Sequence, residues 1–287
     1  MPKKKPVAPA AVMSPRIFDS RAVRVPHTSE HSVAHERFQQ TVRNPFPKPY
    51  VVEDILVRRL HFSHHATQSV MLVDEPDALV TDYTRKMMSF LLFNPNPRHI
   101  LMIGLGGGSL AKFCYRHLPK ARITAVEINR HVIAMRDEFV VPQDDDRFNV
   151  IHADGARYVE QLDESVDVIL VDAFDADGIA LSLSESNFYS RAAEQLTSSG
   201  VLVMNLLGQG GRYVENIQAI RPAFKRNILL VPVMSGENVL LFACKRPPPR
   251  SITQKLESSA RRLQSRLQLD FPRYLRRICQ GHELTAR

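Results

Sequence analysis

The loop Gly104-Leu105-Gly106-Gly107-Gly108-Ser109 follows a short apolar run, His99 to Ile103. A glycine loop in that position lets backbone N–H groups approach a ligand and aims a helix N-terminus at it. Its G-x-G-x-G spacing lacks the third glycine that a dinucleotide loop carries at its own offset, and Leu110 takes the next position. Glu127 ends the next apolar run, about 20 residues on, where a carboxylate can accept both hydroxyls of a ribose. Asp154-Gly155 closes a third run, a position from which an acidic side chain can bind an adenine amino group. The fourth run, Val166 to Val171, leads into Asp172-Ala173-Phe174-Asp175-Ala176-Asp177-Gly178. Carboxylates this close raise one another's pKa unless a cation joins them, which suits an amine substrate or a proton-accepting role. A hydrated divalent metal and a merely polar loop are the alternatives; no phosphate-binding Lys-Ser/Thr partner accompanies the Asp-x-Asp, so amine binding is favoured over metal.

These groups need a scaffold that delivers them to one edge. From residue 99 onward, short apolar runs alternate with helical segments: strands are predicted at 99–103, 122–126, 149–152, 166–171, 200–205, 228–233 and 239–243. Helices are predicted at 109–118, 130–139, 156–161, 184–196 and 213–224, the fourth opened by a capping box at Ser182-Leu183-Ser184-Glu185. Such βαβ units imply a parallel sheet covered on both faces, whose ligands bind at the carboxyl ends of the strands. No helix separates the last two strands, and Ser235-Gly236-Glu237-Asn238 supplies a hairpin turn that makes one of them antiparallel. A seven-stranded mixed sheet ending this way is the S-adenosylmethionine-type Rossmann architecture of an α/β protein. Upstream, strands at 55–60, 69–73 and 78–80, with a turn at Asp74-Glu75-Pro76-Asp77, predict a small β-rich subdomain. Thr81 or Asp82 then caps a helix running to Phe93.

The predicted organisation is a disordered basic tail (1–48), the β-rich N-terminal subdomain (49–80), a Rossmann-like catalytic domain (81–245) and a basic helical C-terminal tail (246–287). The formal net charge of +8 is unevenly placed: residues 1–48 carry +6, residues 245–287 carry +8, and the middle carries −6. The presumed folded core therefore attracts cations, and contact with nucleic acid is expected only through the basic tails. In the C-terminal tail, Ser251 and Gln254 resemble a capping box, and Ile252, Leu256, Ala260, Leu263 and Leu267 form an apolar stripe on one helix. The polar face with Lys255, Arg261, Arg262 and Arg266 reads as solvated. His27, His31 and His35, and separately His61, His64 and His65, read as solvated side chains, so no metal is expected. Three widely spaced cysteines, Cys114, Cys244 and Cys279, indicate neither a disulfide framework nor a thiolate site. With no signal-peptide pattern and no run of 18 apolar residues, the expectation is a cytoplasmic protein without membrane contact.

In order and spacing, the run from Asn96-Pro97-Arg98 to Ile103, the glycine loop, Val126-Glu127-Ile128, Asp154-Gly155, Val171-Asp172-Ala173-Phe174-Asp175 and the segment from Asn187-Phe188-Tyr189 to Ser199-Gly200 resemble the spermidine synthases, or polyamine aminopropyltransferases. The resemblance spans roughly residues 50 to 245. It implies transfer of an aminopropyl group from decarboxylated S-adenosylmethionine, a co-substrate, to a small cationic amine, with release of 5′-methylthioadenosine, by a homodimer. It further implies that Gly104, Gly106, Gly108, Glu127, Ile128, Asp154 and Gly155 bind the donor, with Glu127 on the ribose, Asp154 on the adenine and Ile128 against the ring. Asp172 is implied as the base or amine-orienting carboxylate, with Asp175, Gln68 and Tyr83 as substrate contacts. The chain departs from the family pattern at Gly107, where the family has an aspartate, at Asp82-Tyr83-Thr84, and at Val233, which takes the place of a tyrosine.

Two other readings compete with aminopropyl transfer. One is a methyltransferase using S-adenosylmethionine itself, since Gly107 removes a carboxylate that would repel the methionine carboxylate. The other is a non-catalytic protein that binds a nucleoside or nucleic acid, whose tails would grip phosphates.

Overall fold

Residues His99–Ile103 send Ile100 and Met102 into one apolar cluster and Leu101 and Ile103 into another, and all five residues are buried. A strand apolar on both faces must lie inside a sheet that is covered on both sides. The computed structural model describes residues 46–63, 66–175, 178–207, 211–225, 227–233, 238–249 and 251–285. It contains β1 (Tyr50–Glu53), β2 (Val57–Ser63), β3 (Ala66–Leu72), α1 (Asp82–Met87), a 3₁₀ turn (Met88–Leu92), β4 (His99–Ile103), α2 (Ser109–His117), β5 (Arg122–Glu127) and α3 (Arg130–Ile133). Next come β6 (Phe148–His152), α4 (Gly155–Glu160), β7 (Val166–Val171), β8 (Phe174–Asp175), β9 (Gly178–Ile179), α5 (Ser186–Gln195) and β10 (Leu196–Leu207). The chain continues through α6 (Gly211–Ile220), β11 (Ile228–Pro232), β12 (Asn238–Cys244), α7 (Gln254–Leu267) and α8 (Phe271–Thr285).

The seven strands order as β11-β12-β10-β7-β4-β5-β6. All neighbours from β10 to β6 pair parallel, and β12 runs antiparallel to both β10 and β11. This is the expected mixed α/β sheet. From β4 the chain proceeds outward to β5 and β6, then returns to lay β7 on the other side of β4. The order therefore reverses between β4 and β7, and in such sheets the ligand crevice opens at the carboxyl ends of the two strands flanking that point. The β4 and β7 ends carry Gly104 and Asp172.

Helix α2 and the Met88–Leu92 turn cover one face, together with α7 and α8, whose Leu263, Leu267, Phe271, Leu275 and Ile278 join the same cluster. Helices α5 and α6 cover the other face through Phe188, Tyr189, Ala192 and Ile220. The N-terminal strands β1, β2 and β3 form a separate three-stranded antiparallel sheet. Among the described residues no helix is long and apolar enough to cross a membrane, and no group of three or more His, Cys, Asp or Glu is placed to hold a metal. Residues 1–45, with the His27, His31 and His35 series, and also His64, His65 and the tip Ser235-Gly236-Glu237, lie outside the described residues.

Several local expectations are corrected. Residues 78–80 form no strand, because Arg85 donates from Nε to Leu79 O at 2.6 Å and from Nη2 to Val80 O at 2.5 Å, capping those carbonyls with a side chain instead. The third strand of the small sheet is β1, paired Val51 to Leu60. The helix expected over 130–139 closes after one α-turn, and its continuation is held by side chains that bind the Glu138 and Phe139 carbonyls, from Arg58 and Lys112. Ser182 caps no helix, since its hydroxyl donates to Asp154 Oδ2 at 3.3 Å and Glu185 is the N-cap residue of α5. Helix α7 is capped by Thr253, whose Oγ1 accepts from Leu256 N at 3.3 Å, rather than by Ser251. Ile252 lies before the helix and is exposed.

One buried group ties stability to pH. His99 is 4 % exposed; Arg122 Nη2, which can only donate, faces Nδ1 at 3.0 Å, so Nε2 carries the proton and donates to Thr124 Oγ1 at 3.0 Å. Burial first, and then the Arg122 charge, lower its pKa from 6.5 to about 4. The unfolded chain therefore takes up a proton near pH 6.5 that the folded chain refuses until about pH 4, so stability is full above 6.5 and falls as the pH drops through that window. Denaturant melts at pH 7 and pH 5 are expected to differ by about 2 kcal/mol from this group. His99→Gln should remove that part of the difference; an unchanged pH slope in the variant would refute the assignment.

Candidate functional site

Gly104, Glu127 and Asp172 lie at the ends of β4, β5 and β7. Gly104 has φ +91°, and a Cβ there would stand 2.3 Å from the Asp172 carbonyl oxygen, so the residue has to be glycine for the loop and the Asp172 backbone to pack this closely. Gly106 and Gly108 are also left-handed, and Gly108 leads directly into α2. At Gly107 a Cβ would meet Ser69 Oγ at 2.7 Å and Phe139 Cδ1 at 2.8 Å. A larger residue there would have to displace a buried phenylalanine, so the absence of a carboxylate at this position is matched by its surroundings.

Glu127 is buried beneath the loop. Its Oε2 accepts from Leu105 N at 2.8 Å and its Oε1 from Asn129 N at 2.8 Å, so one carboxylate ties the glycine loop to the turn after β5. Burial raises its pKa, and backbone hydrogen bonds from Leu105, Asn129, Gly106 and Ile128 oppose that rise. Ile128 is half-buried beside it, and its carbonyl meets His152 Nε2 at 3.0 Å. Asp154 is the N-cap of α4: Oδ1 accepts from Arg157 N at 3.0 Å and Oδ2 from Ser182 Oγ at 3.3 Å. Gly155 follows it, packed so closely that a Cβ would meet Ile103 Cγ2 at 2.3 Å.

Asp172 lies on the other side of the loop. Tyr83 Oη donates to its Oδ2 at 3.1 Å from α1, and Asn205 Nδ2 donates to its Oδ1 at 3.0 Å from β10. Loss of water around the carboxyl raises its pKa, against the lowering effect of those two hydrogen bonds. The same burial, with the adjacent carboxylate, drives the Tyr83 pKa well up, so the phenol keeps its proton and remains a donor. Two partners and a desolvated carboxyl make a group able to accept a proton or to hold an ammonium.

Not every sequence-selected residue converges equally. Asp175 sits in β8, paired with Gly178, while Ala176 and Asp177 lie outside the described residues. Gln68 is half-buried on β3 beside Ser69, which abuts the glycine loop, and it is the residue skipped where the register shifts between the Leu60–Ser69 and His61–Thr67 pairs. Val233 is buried, its N–H bonded to Asn238 O at 2.9 Å. Asn205 escaped the sequence reading, although an asparagine in the run Val201-Leu202-Val203-Met204-Asn205-Leu206 was a signal: a polar side chain 1 % exposed in a core strand needs a partner. A cavity of 780 Å³ between the 74–79 turn, the end of α2 and the α7–α8 junction contains none of these groups.

Known proteins resemble this chain in sequence and in fold. Residues 81–209 match the family model described as the spermine/spermidine synthase domain. The polyamine aminopropyltransferase of Chromobacterium violaceum is 36 % identical over 253 residues, covering 87 % of this chain and 97 % of that protein. A polyamine aminopropyltransferase of Neisseria meningitidis is 38 % identical over 235 residues, covering 81 % of this chain and 89 % of the relative. Among solved structures, a probable spermidine synthase from Corynebacterium glutamicum superposes with a TM-score of 0.64 at 17 % identity, over 75 % of this chain and 83 % of that one. A spermidine synthase in complex with the transition-state analogue AdoDATO superposes with a TM-score of 0.59 at 19 % identity, over 83 % of this chain and 86 % of that one.

Proposed function

Because the chain belongs to the polyamine aminopropyltransferase (spermidine synthase) family, a family of transferases in polyamine biosynthesis, we propose that it moves an aminopropyl group from decarboxylated S-adenosylmethionine to a small cationic amine. The observation that carries this reading is Asp172: a desolvated carboxylate, held from two sides by Tyr83 and Asn205, whose backbone packs against the glycine loop. A cationic acceptor would thereby stand beside the nucleoside-binding edge.

The residues fit an S-adenosyl donor. The left-handed loop presents backbone rather than side chains at Gly104, Gly106 and Gly108, and a Cβ at Gly106 would be in ordinary contact with Ser69 Cβ at 3.8 Å. Loop amides and Gly155 would lie along the donor, Glu127 would hold the ribose, Ile128 would pack on the ring and Asp154 would meet the adenine. When bound, the donor supplies an aminopropyl carbon made electrophilic by a neighbouring sulfonium. A protonated amine has no lone pair to attack with, so Asp172 takes its proton and aligns the freed nitrogen with that carbon. The new N–C bond forms as the C–S bond breaks, and the electron pair goes to sulfur, releasing 5′-methylthioadenosine. Tyr83 keeps the carboxylate oriented by donating to Oδ2, and Asp175 and Gln68 would complete the acceptor and donor contacts. The same reading takes the enzyme as a cytoplasmic homodimer.

Thermal unfolding with each nucleoside tests the donor. At about 100 times Kd, decarboxylated S-adenosylmethionine and 5′-methylthioadenosine should each stabilise the fold by about 2.7 kcal/mol, with S-adenosylmethionine giving less. Greater stabilisation by S-adenosylmethionine would overturn the decarboxylated donor, and turnover with a panel of di- and triamines then identifies the acceptor.

A further inference from the structure

The hydrogen bonds around Asp172 do not stop at Asn205. Asn205 Nδ2 donates to Asp172 Oδ1 at 3.0 Å, and Asn205 Oδ1 accepts from Asn238 Nδ2 at 2.9 Å. Asn238 opens β12, where it pairs with Leu207 in the antiparallel register, and Asn205 pairs with Leu240 two steps along. The two side chains thus lie on one face of adjacent strands, two residues out of step, within reach of each other. We propose that Asn238 is a positioning residue for Asp172, acting through Asn205: its amide fixes which end of the Asn205 side chain meets the carboxylate. This rests on the reading of Asp172 as the amine-binding carboxylate.

The physical reason lies in the shape of an amide. Its oxygen and nitrogen ends are nearly the same size, so packing alone does not choose between the two orientations; hydrogen-bond partners do. An ionised carboxylate only accepts, so Asn205 must turn its NH₂ to Asp172 Oδ1, leaving its oxygen toward β12. The Asn238 NH₂ satisfies that oxygen and makes the reverse orientation doubly unfavourable, since it would set donor against donor at one end and acceptor against acceptor at the other. Among the described residues, the groups that touch the Asp172 carboxylate are Tyr83, which titrates, and Asn205, which does not. Asn238 adds no charge of its own, so the relay sets the carboxylate's geometry and basicity without a titration of its own.

Asn238→Asp and Asn238→Leu separate this role from simple packing. Aspartate is nearly isosteric but turns a donor into an acceptor; Asn205 then reverses, and its oxygen faces Asp172. Leucine alters shape more but leaves the Asn205 oxygen merely unpartnered. The expected order is therefore Asp worse than Leu: kcat down about tenfold or more against about threefold, with the acid limb of the kcat/KM profile moved to higher pH in the aspartate variant. Affinity for 5′-methylthioadenosine by calorimetry should stay at the wild-type value in both, which also shows that both fold. Wild-type kcat and pH profile in Asn238→Asp, or a leucine variant more damaged than the aspartate one, would overturn the proposal. If the wild-type enzyme transfers no aminopropyl group to any amine, the functional reading fails by itself. The Asp172 carboxyl titration, followed by carbon-13 NMR with and without Asn238→Asp in the wild-type and Asn205→Leu backgrounds, still decides the relay: a larger rise in midpoint when Asn205 is present supports it, and equal rises in the two backgrounds, the direct effect of a new carboxylate, refute it.

Discussion

Asp172→Asn is expected to lower turnover about a hundredfold or more while affinity for 5′-methylthioadenosine stays close to the wild-type value. The substitution keeps the shape of the side chain and removes its capacity to accept a proton or to neutralise an ammonium. An asparagine at position 172 has one acceptor oxygen where the aspartate has two, so when Tyr83 takes that oxygen the Asn205 amide, a donor in the native arrangement, meets an NH₂. A hundredfold corresponds to about 2.7 kcal/mol of transition-state stabilisation, within the range that a positioned base supplies. The pH profile gives an independent check. Burial raises the Asp172 pKa above the ordinary carboxylate value, so wild-type kcat/KM should fall as the pH drops through that raised value, and the variant should lack this limb. Steady-state rates from pH 5 to 9 with decarboxylated donor and a diamine read both effects. Turnover within threefold of wild type would remove Asp172 from the mechanism.

Glu127→Gln is expected to weaken 5′-methylthioadenosine binding by about tenfold to a hundredfold. Each carboxylate oxygen accepts a backbone N–H at 2.8 Å, one from the glycine loop and one from the turn after β5. Glutamine offers a single acceptor, so its NH₂ is set against the N–H of either Leu105 or Asn129. A buried donor left without an acceptor costs about 1–3 kcal/mol, and the cost falls on the loop that would cradle the nucleoside. In the proposed complex the ribose hydroxyls lose an anionic acceptor as well. Calorimetric titration measures the affinity, and the far-ultraviolet spectrum shows whether the sheet is intact. Equal affinity in the two proteins would mean that Glu127 only braces the loop.

The central sheet was legible in the residues because its constraint is local and repeated. Runs such as His-Ile-Leu-Met-Ile and Val-Asp-Val-Ile-Leu-Val have too many apolar side chains for a one-sided strand, and the spacing of helical segments between them leaves parallel pairing as the way to connect them. Glycines at 104, 106 and 108 announced a loop that lets backbone approach a ligand, and the structure gives all three a left-handed conformation. The errors came where a side chain, near in sequence or far, overrules backbone propensity. Residues 78–80 look like a strand until Arg85 takes their carbonyls, and Ser182-x-x-Glu185 looks like a capping box until Asp154 takes the serine hydroxyl.

Chain order alone determined the α/β class and the turns after the strands that carry Glu127, Asp154 and Asp172, because strand periodicity and turn residues act over a few positions. Tertiary structure decided what each carboxylate is bonded to. Tyr83 reaches Asp172 across 89 residues, Asn205 across 33, and Asn238 reaches Asn205 across a further 33. A hydrogen bond depends on placing two groups to within a few tenths of an ångström, and that placement is set by the packing of whole strands and helices on both faces of the sheet, which no short stretch of sequence contains.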